Sequence, residues 1–104
     1  MKLSNPFSEQ TRNIFLYVYS CMDCSRSDRG LQLHHITGRT SDSPLNAIPL
    51  CLDCHSKCGH SFDEESTYLQ ITMRFLLREH YSLNEEDINF YSVHKQKYSA
   101  IIIR

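Results

Sequence analysis

Two cysteine pairs constrain this chain more than any other feature. Cys21-Met22-Asp23-Cys24 and Cys51-Leu52-Asp53-Cys54 are C-x-x-C knuckles with 26 residues, 25 to 50, between them. Each knuckle puts two thiolates on one tight turn, and four thiolates together meet the tetrahedral, soft-ligand preference of Zn²⁺. A redox C-x-x-C is normally single and sits in a thioredoxin-like pattern, which is absent here. A disulfide framework fits no better, because five cysteines leave one unpaired and no secretion signal is evident, so a reducing cytosol is the expected compartment. The spacing predicts a structural zinc held by Cys21, Cys24, Cys51 and Cys54. Cys58, the fifth cysteine, is read as a buried or incidental thiol, with competition for the metal as its alternative.

With 104 residues the chain is expected to be one domain, residues 1–104, and with 40% hydrophobic residues its core is modest enough to benefit from a metal staple. Charged residues at 22%, three Gly and three Pro argue against disorder, collagen and low complexity. The longest apolar run, Ile14 to Tyr19, is too short to span a bilayer, so no membrane association is expected. The formal charge is −1; four thiolates and one Zn²⁺ take it to −3 (−1 − 4 + 2), and a second divalent ion returns it to −1. Long-range attraction to a polyanion is therefore weak, and any such contact must be local.

The pattern predicts an N-terminal helix over Ser8 to Ser20, with Thr11, Ile14, Phe15, Val18 and Tyr19 on one face. Leu31 to Ile36 alternates as a short strand ended by Thr37-Gly38, Arg39 to Ala47 reads as a loop, and Ile48-Pro49-Leu50 reads as an edge strand. Two amphipathic helices follow. The first starts after Ser61 or Asp63, carries Leu69, Met73, Leu76 and Leu77, and ends near His80; the second starts after Ser82 or Asn84, with Ile88, Phe90, Tyr91 and Val93 on its apolar face. The run Ala100 to Ile103 is a terminal strand, a docking segment or an oligomer contact.

Between the knuckles lies Leu33-His34-His35-Ile36-Thr37-Gly38-Arg39, and Asn46 precedes Cys51-Leu52-Asp53-Cys54-His55. Adjacent histidines on a strand point to opposite faces, so one can hold a metal while its neighbour faces a water. Any one of these histidines alone would be read as a surface or core residue. The order C-x-x-C, HHI-x-GR, Asn46, LC-x-x-CH, over about residues 21–60, resembles the four-cysteine branch of the His-Asn-His (HNH) nucleases.

That resemblance implies an α+β fold: a small ββα-metal core stapled by the four-cysteine zinc site, here with an N-terminal helix and a C-terminal helical extension over residues 61–104. It implies His35 as general base, His34 and His55 as ligands of a catalytic divalent ion, and Asn46 as the brace of the loop and the base. Many members carry a third ligand His four residues after the last motif His. Here Gly59 holds that position and His60 comes one later, so either His60 substitutes through a bend at Gly59 or water fills the site.

The residue types suit phosphodiester hydrolysis, which needs a base for the attacking water and a cation on the phosphate and leaving oxygen. A site with two neutral imidazole ligands accepts Mg²⁺, Mn²⁺, Ni²⁺ or Zn²⁺. Arg39 is a candidate substrate-binding phosphate clamp or a solvated loop charge, and Arg26 and Arg29 are weaker candidates. The expected activity is a metal-dependent DNA endonuclease, and the resemblance implies 5′-phosphate and 3′-hydroxyl ends. The alternatives are a non-catalytic zinc-stapled nucleic-acid-binding module and a small zinc protein whose C-terminal helices bind another protein. Cleavage of both strands would need a homodimer or two events by a monomer, and small free-standing members of the family are common in phages and mobile elements.

Overall fold

The structure, a computed structural model, describes residues 7–27 and 30–99. It is a small α+β arrangement with one two-stranded antiparallel sheet and five helices among the described residues. The expected tail segment Ala100 to Ile103 and the candidate Arg29 lie outside the described residues.

Strand β1 (Leu31–His35) pairs with β2 (Ala47–Cys51), with Leu31 opposite Cys51, Leu33 opposite Pro49 and His35 opposite Ala47. The Ile36 amide donates to the Asn46 carbonyl at 2.8 Å and extends the ladder by one rung. All of β2 is buried while β1 is largely half-buried, so the hydrophobic run Ile48 to Cys51 forms the floor of the core. Pro49 sits here because a two-stranded sheet has only edge strands, and its carbonyl accepts from the Met22 amide at 3.1 Å, which docks the first knuckle on the sheet.

Helix α1 (Glu9–Ile14) begins where expected, with the Ser8 side chain accepting from the Thr11 amide, but it ends at Ile14 and the chain turns through residues 15–17. The predicted helix to Ser20 is thus too long. Phe15 is buried and stacks near Phe75 with ring centroids 5.4 Å apart, whereas Tyr19 is exposed. Asp42 ties α1 to the β1–β2 loop: its carboxylate accepts from the Ser8 amide and its carbonyl from the Thr11 hydroxyl.

β2 runs directly into α2 (Leu52–Ser56), for which Cys51 is the N-cap. Helix α3 (Phe62–Arg78) starts after Ser61, whose hydroxyl accepts from the Glu64 amide, and its acidic first turn complements the positive end of the helix. Leu69 and Leu76 are buried as expected, but Leu77 is exposed and Glu65, Ser66, Thr67 and Thr72 are buried instead. The Thr72 hydroxyl donates to the Ala47 carbonyl at 2.7 Å, fastening α3 to the start of β2, where Ala47 pairs with His35.

Helix α4 (Glu85–Val93) opens with a capping box between Asn84 and Asp87. Asp87 is fully buried and accepts from the Ser43 and Tyr81 hydroxyls and the Asn84 amide. Phe90 is buried, but Ile88 and Val93 face outward, contrary to the expected apolar face. A separate short helix, α5 (Lys95–Ser99), then packs against α3. Among the described residues no helix is long and apolar enough to cross a membrane.

Candidate functional site

The two knuckles close on each other. The Sγ atoms of Cys21, Cys24, Cys51 and Cys54 all lie within 4.8 Å of one another. Cys24 Sγ and Cys51 Sγ are 3.8 Å apart, and all four cysteines are free thiols. A tetrahedron with Zn–S bonds of about 2.3 Å has edges of roughly 3.8 Å, so the donor set and its spacing fit Zn²⁺. Cys21 and Cys51 are buried, Cys54 is half-buried and Cys24 faces solvent.

Burial raises the Cys21 thiol, but backbone groups of Cys24, Cys51 and Asp23 outweigh it and bring its pKa down to about 7. Burial and the neighbouring thiols push Cys54 up. Arg26, two residues past the first knuckle, and Asp53, inside the second, form an ion pair at 2.6 Å. Cys58 stands apart: its Sγ donates to the Cys54 carbonyl, and burial together with Glu64 raises its pKa to about 11.

The histidines divide between the faces of β1 as its two-residue period requires. His34 is buried, with its ring centroid 5.2 Å from those of both His55 and His60 and its plane nearly perpendicular to the Tyr68 ring, 6.2 Å away. Imidazoles sharing one ion with metal–nitrogen bonds of about 2.0–2.1 Å have centroids roughly 4.5–5.2 Å apart, so both pairs have a separation that suits a common cation. The trio is looser than the cysteine set: among the described residues, the cysteines are the group whose ligand atoms all come within 4.8 Å. Burial, followed by the proximity of His55 and His60, lowers the His34 pKa to about 4, so this ring is neutral and able to act as a ligand near neutral pH.

His35 turns the other way and stacks flat on Phe7, with centroids 3.7 Å apart and planes within 3°. Burial and then the Arg39 guanidinium lower its pKa, keeping it in the neutral form that a base requires. Arg39 itself is exposed in the loop, just after Gly38, whose φ of +86° makes the turn.

Asn46 is fully buried and uses its whole amide on that loop. Oδ1 accepts from the amide and hydroxyl of Thr37, both at 2.9 Å, and Nδ2 donates to the carbonyls of Gly38 and Ser41 at 3.0 and 3.1 Å. Two acceptor and two donor positions are then filled, which leaves no capacity for the His35 ring. Asn46 braces the loop directly, and any brace on His35 is indirect.

Sequence reasoning missed Phe7, Tyr68, Glu64 and Glu65. Tyr68 donates to Asp23 inside the first knuckle at 2.7 Å while flanking His34, and Asp23, Asp63, Glu64, Thr67 and Tyr68 line a shallow cleft of about 310 Å³. Phe7 and Tyr68 meet partners 28 and 45 residues away, His35 and Asp23, whereas Glu64 bonds locally to the amides of Gly59 and His60. Comparison with protein-family models, curated proteins and solved structures finds no match.

Proposed function

We propose that the chain is a metal-dependent DNA endonuclease of the His-Asn-His type, built on a ββα-metal unit. The observation that carries this reading is the division of the paired histidines: His34 is gathered with His55 and His60, while His35 lies on the other face, close-packed and neutral. A purely structural zinc module has no use for an imidazole base set beside a second histidine cluster.

In this reading His34 and His55, with His60, hold the catalytic divalent ion. When bound, that ion supplies positive charge to the scissile phosphate and the departing 3′ oxygen. His35 takes the proton from the attacking water, and its flat stacking on Phe7 restricts the ring to a narrow range of positions. Arg39 attracts the phosphate by a guanidinium fork, and Asn46 holds the loop that carries it.

The test is nicking of supercoiled plasmid by zinc-loaded protein with Mg²⁺, Mn²⁺, Ni²⁺ or Zn²⁺. His35→Ala should retain zinc, fold and DNA binding while cleavage falls by about 10²–10⁴-fold. His34→Ala and His55→Ala should regain part of their activity at high Mn²⁺ or Ni²⁺, which cannot replace a missing base. Absence of nicking by the unaltered protein with every ion, or full activity in His35→Ala, refutes the assignment.

A further inference from the structure

The geometry points to Asp42 as a positioning residue for His35: together with Arg12 it grips the peptide joining Phe7 and Ser8, and so fixes the Phe7 ring against the base. This inference deepens the proposed function and rests on the role given there to His35.

The first observation is the closeness of the stack. The Phe7 and His35 ring centroids are 3.7 Å apart with planes 3° from parallel. Carbon atoms in contact stay about 3.5 Å apart, so the two rings are displaced sideways by only about 1 Å. Aromatic pairs left to themselves prefer offset or edge-on arrangements with centroids about 4.5–7 Å apart, so this overlap is imposed from outside the two rings. His35 is set by its strand, where it pairs with Ala47. Phe7 precedes α1 and has no strand or helix to place it, yet it is 1% exposed.

The second observation is what holds Phe7. The peptide between Phe7 and Ser8 is bound at both of its polar groups: the Phe7 carbonyl accepts from Arg12 Nη1 at 2.6 Å, and the Ser8 amide donates to Asp42 Oδ1 at 2.6 Å. Each bond has one charged partner, which makes it stronger than a neutral pair. A peptide is planar, so pinning both of its groups stops the rotation that would swing the Phe7 side chain off His35. The Thr11 hydroxyl lies 2.7 Å from the Asp42 carbonyl and 3.4 Å from Oδ2, so the first turn of α1 is tied to the same residue.

The third is the support behind Asp42. Glu86 Oε2, on α4, accepts from the Asp42 amide at 3.3 Å and from the Ser41 hydroxyl at 3.0 Å, while the Ser41 carbonyl accepts from Asn46 Nδ2 at 3.1 Å. A path therefore runs from α4 and Asn46 through Asp42 and the gripped peptide to the face of His35. Asn46, whose amide is spent on the loop, reaches the base by this route.

The experiment has an arm without activity and an arm with it, both on the full chain with zinc in the cysteine site. In the first, proton NMR without catalytic ion or DNA reads the His35 ring protons, which the overlying Phe7 ring shields. Phe7→Leu keeps an apolar side chain but no ring and should move these signals downfield; Asp42→Ala should move them the same way. Asp42→Asn keeps an acceptor for the Ser8 amide and should restore them. Arg12 is exposed, so Arg12→Ala remains informative if Asp42→Ala does not fold, and it should also shift the signals downfield. In the second arm, plasmid nicking by Asp42→Ala should show kcat lowered by about 10–10²-fold with KM unchanged, the scale of a small misplacement of a reacting group. Asp42→Asn should recover most of the rate, and Phe7→Leu with Asp42→Ala should lose little more than either alone, because both act through one stack. Unmoved His35 signals in both Asp42→Ala and Arg12→Ala, no recovery in Asp42→Asn, or additive losses in the double variant overturn the inference. If the signals respond as described and the unaltered protein does not cut plasmid, the hold of Asp42 on His35 stands and the nuclease reading fails.

Discussion

Replacing Asn46 tests whether the loop beside the paired histidines is held by one saturated amide. Asn46→Ala removes four hydrogen bonds from a side chain with no exposed surface. At about 1 kcal/mol net for each bond the upper figure is near 4 kcal/mol, and water reaching the half-buried loop lowers the expected loss to about 2–4 kcal/mol. Asn46→Asp is almost the same shape yet should be worse near neutral pH. It keeps the two bonds from Thr37 but turns a carboxylate oxygen toward the carbonyls of Gly38 and Ser41, which lie 3.0 and 3.1 Å from the present Nδ2. Burial and two facing carbonyls raise the introduced carboxyl above its unfolded pKa of about 3.9. The folded state then binds more protons, so stability falls as pH rises from about 3.9 through the folded value, and the full deficit appears above it. Urea unfolding of zinc-loaded protein, taken as the difference from the unaltered chain at matched pH, measures both effects. A loss below about 1 kcal/mol for Asn46→Ala, or an Asn46→Asp variant more stable than Asn46→Ala at pH 7.5, would falsify the account.

The cysteine site predicts one tightly bound zinc per chain, with unfolding or aggregation on chelation or in Cys51→Ser, because structural metal-binding energy is folding energy; metal analysis with circular dichroism checks this, and zinc-free folded protein refutes it. Cys58→Ser should keep zinc and lose at most about 1 kcal/mol, since its thiol makes one weak bond to the Cys54 carbonyl. Without a catalytic ion, the His34 ring should remain neutral down to about pH 4 in NMR titration. Its folded pKa is depressed, so its linkage makes stability rise with pH from about 4 to about 6.5; His34→Gln should flatten that part of the profile, and an unchanged slope refutes the burial argument.

What the sequence made legible is local. The knuckles announce themselves because two thiolates three apart share one turn, and the structure brings the four sulfurs together. Ser8, Ser61 and Asn84 mark helix starts because a short polar side chain at that position satisfies amides of the first turn, and all three do so. The alternation over Leu31 to His35 gives the strand, and its two-residue period separates His34 from His35.

What was hidden depends on partners brought close only by folding. Helical spacing favours Leu77 for the core, yet the buried positions go to Thr72 and Glu65, whose polar atoms find Ala47 and Lys97. Asp87 likewise takes a buried place because Ser43, Tyr81 and Asn84 satisfy its carboxylate, and the rotation this imposes on α4 turns Ile88 outward. A hydrophobicity pattern scores a buried polar residue as surface, because the desolvation cost is a property of the residue and the compensating bond is not. The same reasoning explains why His60 departs from the spacing of the helix before it. Its position depends on Glu64, Glu65 and the Ile36 carbonyl, so the segment needs a left-handed bend rather than another helical turn.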